Sequence, residues 1–136
     1  MNTKAKIIST IAAIVASVIM LQTLYFKFSA APESVYIFTT LGLEPIGRIG
    51  IGILELITSI LLIIPKSRVV GAFLGFGIMA GAVFSHFTTL GIVVMNDGGY
   101  LFVLCLTVLT MCLICLIIER EKAISLIKHL IFQRNK

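Results

Sequence analysis

Arg48, Glu55 and His86 are the side chains whose chemistry departs most from their surroundings. Arg48 and Glu55 both lie in the apolar run PIGRIGIGILELITSILLII, Pro45 to Ile64. On a helix of 3.6 residues per turn, their spacing places them within about 20° of one face and about 10 Å apart along the axis. Gly52 and Ser59 share that stripe. An ionisable group in a bilayer is costly unless it faces protein or water, so the pair needs a reason to be there. Arginine offers a rigid fork of donors that holds an anion or a carbonyl, glutamate accepts or releases a proton, and histidine is the side chain that exchanges protons near neutral pH. Together they would build a polar pocket within reach of a small polar molecule, or of a quinone head group sliding in from lipid. A simpler reading needs no ligand. Arg48 snorkels to the headgroups, Glu55 is protonated or pairs with Arg48 as structural glue, and His86 bonds a backbone carbonyl. Taken singly, His86 fits that simpler reading better than the pocket, and Gln22 and Lys27 do so more strongly.

The elements that must position these residues follow from composition and punctuation. Of 136 residues, 59% are hydrophobic and only 12% charged, against about 25% charged in a soluble domain. The chain reads as a single all-α membrane domain, residues 1–136, whose length suffices for one four-transmembrane-helix bundle at about 20 residues per span. Spans are expected at about 7–26, 45–64, 69–87 and 100–118. The first apolar run exceeds the roughly 7 to 15 residues of a signal peptide core, so it is read as a retained span. Between the first two spans, Pro32 suits a helix start and Gly42 a stop, with Val35, Phe38 and Leu41 at helical spacing. A short interfacial helix is expected there. Pro65 ends the second span, and Asn96-Asp97-Gly98-Gly99 signals a turn before the fourth. Residues 119–136 form an amphipathic tail with Ile124, Ile127 and Ile131 on one side.

Basic residues set the expected orientation. Lys and Arg number two in the N-terminal flank, two in the 65–68 loop and five in the tail, whereas the opposite flanks hold only Lys27 and Arg48. The positive-inside bias places both termini in the cytoplasm, an N-in/C-in topology. This accounts for the net charge of +5 without a nucleic-acid partner. Tyr25, Tyr36 and Tyr100 then fall at the outer interface, as do Lys27, Arg48 and His86, with Glu55 about two turns deeper. The inner ends are expected to hold no comparable group.

Other constellations carry less. Cys112 and Cys115 form C-x-x-C, with Cys105 on the same stripe. A dithiol could pass electrons to a quinone, but no charged group nearby in sequence favours a thiolate, and free cysteine is also a small hydrophobe. No adjacent histidine completes a zinc set. No metal is expected, and no intrinsic cofactor. Gly71, Gly75, Ala82 and His86 form one face of the third span, where small residues admit a neighbouring backbone. Gly77 and Gly81, read as facing away from that stripe, offer a homo-oligomer contact.

Lys27 closing the first span, the helix GRIGIGILELITSILLIIP, Gly71 opening the third span, and GAVFSHFTTLGI before Asp97-Gly98-Gly99 resemble the DoxX-like family of small four-span bacterial membrane proteins. The resemblance covers about residues 10 to 115. It implies a four-helix bundle in the bacterial inner membrane and a link to redox systems, since some relatives are described as membrane subunits of quinone-reducing or quinol-oxidising complexes. Arg48 and Glu55 match the family's polar positions, and the cysteine stripe does not belong to the pattern. The expected function is an accessory subunit of a quinone-linked membrane system, not a stand-alone enzyme. Its pocket would be formed by Arg48, Glu55, His86 and Lys27, and its partners would be the bilayer and a redox subunit. The alternatives are a structural or assembly protein without ligand and, with weaker support, a small proton-coupled transporter.

Overall fold

A computed structural model describes residues 1–134; the expected tail's last two residues, Asn135 and Lys136, lie outside the described residues. The described chain is all-helical. Helix α1 spans Thr3–Phe28, α2 Pro32–Thr40, α3 Ile46–Ile63, α4 Arg68–Ser85, α5 Tyr100–Ile118 and α6 Arg120–Arg134. Helix α4 runs on into a π turn, His86–Leu90. Four of these, α1, α3, α4 with its π turn, and α5, are long and apolar enough to cross a membrane. They form a ring in which α1 packs on α3, α3 on α4, α4 on α5 and α5 back on α1.

Local signals account for the boundaries. Asn2 caps α1 by accepting from the Ala5 amide at 2.8 Å, the role for which short polar side chains are favoured at a helix start. Pro32 occupies the first turn of α2, where its missing N–H costs nothing. Gly42, at φ 72°, ends that segment in a left-handed conformation that side chains with a Cβ avoid. The third membrane helix overruns its expected end at residue 87, because Gly91 closes the π turn by donating from its amide to the His86 carbonyl at 2.9 Å.

The bundle has polar groups inside and apolar groups outside. Ile7, Ile11, Ile14 and Val18 on α1, Ile53, Ile57 and Ile60 on α3, and Phe73 and Phe84 on α4 are exposed, whereas Ser9, Ser17, Arg48, Glu55, Thr58, Ser59 and Arg68 are buried. In water this pattern would be inverted, and a bilayer is the solvent in which it is stable. The core is built of small side chains, among them Ala12, Ala13, Ala16 and Ala72, with Met20, Leu62 and Met79 between them. Small residues let backbones approach, which is how helices associate in lipid. At Gly71 an added Cβ would lie 2.6 Å from the Leu62 amide nitrogen, and at Gly75 it would lie 2.7 Å from Cys112 Sγ. The fold and hydropathy define a multi-pass membrane protein.

The two ends of the ring differ. One, here the terminal end, gathers the start of α1, the 64–67 loop, the end of α5 and α6. The other, the loop end, gathers α2, the π turn and the 91–99 loop. Helix α6 is separated from α5 at Glu119, whose φ of −98° and ψ of 21° leave the helical range. Its Ile124, Ile127 and Ile131 are all exposed.

Candidate functional site

At the loop end the ring encloses a cavity of about 730 Å³. Its apolar walls come from α1, α4 and α5, including Ile19, Met20, Ile78, Leu101, Leu104 and Val108, and α2 with the 91–99 loop roofs it through Ser34, Phe38 and Val94. Those three roof residues are buried, so the short helix turns its inner face to the cavity.

Lys27, Glu55 and His86 all line this space. Lys27 Nζ sits 2.9 Å from Glu55 Oε2 and donates to Thr23 Oγ1 at 3.1 Å. Thr23, 3.4 Å from the same carboxylate oxygen, closes a small triangle. An ammonium has three donors, and two are used. The third has no partner among the described residues, and the Lys27 side chain is 14% exposed, which leaves that donor for the cavity. Position explains the pairing: α1 and α3 pack together, and Gly52, one turn from Glu55, seats Phe28 of α1 against its helix.

Arg48 departs from expectation. It does not line the cavity and does not pair with Glu55. Its guanidinium is bound by Glu44 one turn earlier, at 2.7 Å from NH2 and 2.9 Å from Nε, and NH1 donates to the Lys27 carbonyl. Arginine's rigid fork here ties the end of α1 to the start of α3. Arg48 and Glu55 share one stripe of α3, but the nearer partner of each lies off that stripe, Glu44 for Arg48 and Lys27 for Glu55.

His86 is 4% exposed, and its Nδ1 lies 2.7 Å from the Gly91 carbonyl oxygen. A carbonyl only accepts, so Nδ1 carries the proton. In the neutral ring Nε2 is then an acceptor, and it has no partner among the described residues. The ring is fixed further by an edge contact with Phe102, centroids 5.3 Å apart. The backbone bond expected of a structural histidine is present, and the opposite nitrogen is left open. Its setting in a π turn is one that recurs at functional sites.

In the sequence Asp97 is only part of a turn signal, yet it also lines the cavity. Its carboxylate accepts from the amides of Val94 at 3.0 Å, Gly99 at 2.8 Å and Leu101 at 3.0 Å. Burial pushes its pKa up, but these backbone bonds outweigh burial and hold the group below the ordinary aspartate range. Its signal in the sequence was its place just before Gly98-Gly99 and the start of α5, where a carboxylate meets unsatisfied amides.

A second polar cluster, at the terminal end, contradicts the expectation that the inner helix ends hold no such group. Arg68 NH1 lies 3.3 Å from Glu119 Oε1, and Arg68 Nε donates to the Leu62 carbonyl at 3.0 Å. Ser9 Oγ donates to Glu119 Oε1 at 2.6 Å, while Lys122 Nζ lies 2.9 Å from Oε2. Burial raises the Glu119 pKa, and the donors from Ser9, Lys122 and Arg68 more than reverse that, leaving it below the usual glutamate value.

The three cysteines share a bundle-facing stripe and are free. Cys105 lines the cavity, Cys112 is the neighbour of Gly75, and Cys115 Sγ lies 3.5 Å from the Ser9 carbonyl oxygen. Gly77 and Gly81, expected to turn away from the His86 stripe, border the same cavity as His86.

No known family model matches the chain, and neither does any curated protein or any solved structure. Fold and site therefore define its class: a multi-pass helical membrane protein with an apolar cavity and a few convergent polar groups.

Proposed function

We propose that the protein is an accessory, non-catalytic subunit of a quinone-linked membrane redox system, and that the loop-end cavity holds the quinone head. The observation that carries this reading is the set of unused hydrogen-bonding atoms in an otherwise apolar space. Lys27 has a spare donor for a carbonyl oxygen, and His86 Nε2 has a lone pair for a hydroxyl. The charges of Lys27 and Glu55 cancel, the Asp97 carboxylate is committed to backbone amides, and Glu33, which also lines the space, is exposed, so a neutral polar head is preferred over an ion beside Lys27 and His86. A mostly apolar pocket with a few placed polar groups is the usual form of a small-molecule site. The resemblance to DoxX-like proteins supports the same direction. In this reading a partner subunit carries the redox cofactor.

Nine of the eleven Lys and Arg residues flank the terminal end of the sequence-read bundle, which supports cytoplasmic termini in a bacterial inner membrane, with the cavity near the outer face. Helix α2 then lies along the outer interface. The α6 tail lies along the inner one, where its basic residues are attracted to anionic lipid.

Purification from native membranes in mild detergent, with lipid extraction and mass spectrometry, tests the reading. Quinone and a flavin-, haem- or thiol-containing partner should co-purify with the wild-type chain. Quinone should be lost from the charge-neutral double variant Lys27→Met with Glu55→Leu. A wild-type protein carrying only bulk phospholipid would refute it and favour a purely structural role, for which the bonding of Arg48 to Glu44 and the Lys27 carbonyl speaks.

A further inference from the structure

The seam between α3 and α4 is tight at one end and open at the other. Toward the terminal end Gly71 and Gly75 bring the helices into close contact, with Thr58 of α3 and Cys112 of α5 against Gly75. Seven residues further along each helix, about 10 Å at 1.5 Å per residue, the facing positions are Ile51 and Ala82, both in the cavity wall. Here the small residues have no neighbour to admit. A Cβ added at Gly77 or Gly81 would meet nothing within 4 Å. Both glycines are exposed and yet line the cavity, so the cavity reaches the outer surface of the bundle between them and Ile51. That surface faces hydrocarbon, because Leu54 and Ile57 on α3 and Phe73 and Phe84 on α4 are exposed around it.

We infer that this opening is a lateral portal through which a single-chain amphiphile with a neutral polar head enters from the bilayer, its head reaching Lys27 and His86 and its chain lying in the seam. The inference rests on the ligand-binding reading of the cavity and adds the route and the shape of the ligand. The neutral head follows from the cancelled charges in the cavity, and the narrow chain from a gap bordered by two glycines and one isoleucine. Backbone without side chains is the surface on which an alkyl or isoprenoid chain packs with least displacement.

Two photoreactive probes separate the routes: an aryl-azide benzoquinone with a decyl chain, and the same head with a methyl group in its place. The full chain is reconstituted in phosphatidylcholine vesicles, illuminated within seconds of mixing, and its adducts are mapped by mass spectrometry. Wild type should carry decyl-probe adducts on cavity residues such as Leu104 and Cys105. Gly81→Phe should lower the early decyl-probe yield about tenfold, as when the route of association is blocked, while the methyl probe, which is free to enter from water, keeps its yield. Gly77→Leu serves in the same way if the first variant folds poorly. Gly50→Phe, which also points into open space but lies off the cavity, should match wild type. An undiminished decyl yield in the plugged variants would overturn the portal and leave the binding site standing. Equal loss of both probes would overturn it too, since blocking a side route alone leaves entry from water. Absence of any cavity adduct in wild type would overturn both the portal and the binding reading.

Discussion

The two buried ion pairs of this protein are built from similar groups and have opposite character. At the terminal end, Arg68 and Glu119 are 3% and 1% exposed, and they bond the Leu62 carbonyl, Ser9, Thr10 and Lys122. At the loop end, Lys27 and Glu55 face a cavity, and Lys27 keeps an unused donor. The first pair is sealed within the packing and joins α1, α4, α5 and the root of α6. The second borders empty space. A charged pair signals binding only where it faces space that a ligand could occupy. Arg48, the most conspicuous charge in the sequence, likewise lies off the cavity.

The largest test of this contrast removes one partner from each pair. Glu119→Leu strands Arg68 in a sealed site and should cost about 3 to 5 kcal/mol, read as a fall in thermal stability in detergent. Adding Arg68→Met should restore most of it. Glu55→Leu strands Lys27 beside a cavity that water can enter, so about 1 to 3 kcal/mol is expected. Equal losses at the two sites would break the comparison, because the cavity would then be as closed to water as the lock.

Packing sharpens it along α4. Gly75→Val forces a side chain against Cys112 and should cost about 1 to 3 kcal/mol, whereas Gly81→Ala should stay within about 0.5 kcal/mol of wild type. Thermal unfolding of both variants in the same detergent measures the difference between the closed and open halves of the seam.

Acid titration separates the two ends more finely. Asp97 and Glu119 both have folded pKa values below their ordinary ones. Each therefore adds stability that is complete above the unfolded value, about 3.9 for Asp and 4.3 for Glu, and that is lost as pH falls through the lowered folded value. Asp97→Asn should flatten part of that acid limb, by about 1 kcal/mol, without altering the Arg68–Glu119 lock. A smaller effect is expected at Thr58, whose Oγ1 is fully buried and has no partner among the described residues. Thr58→Val should be neutral or slightly stabilising, because it removes a group that burial penalises and keeps its shape.

Hydropathy and punctuation determined the membrane class, the four long apolar helices and the short α2. Those features depend on the solvent each segment prefers and on backbone rules that act within a few residues, so a linear reading reaches them. The same holds for Gly71 and Gly75, whose spacing marked a packing face. Charge partners were not legible in this way. Arg48 and Glu55 share a stripe but lie about 10 Å apart along the helix, farther than an ion pair spans, so each takes the nearest opposite charge, and for Glu55 that charge is on α1. Arg68 read as a loop residue and Glu119 as the start of a tail, and they meet only because the ring closes α4 against α5 and returns both to Ser9. The cavity likewise arises from helices that touch at one end and diverge at the other. Sequence by itself determined which segments leave water; the tertiary structure decided which charges meet and where space remains, because contact between residues distant in the chain depends on how whole helices pack.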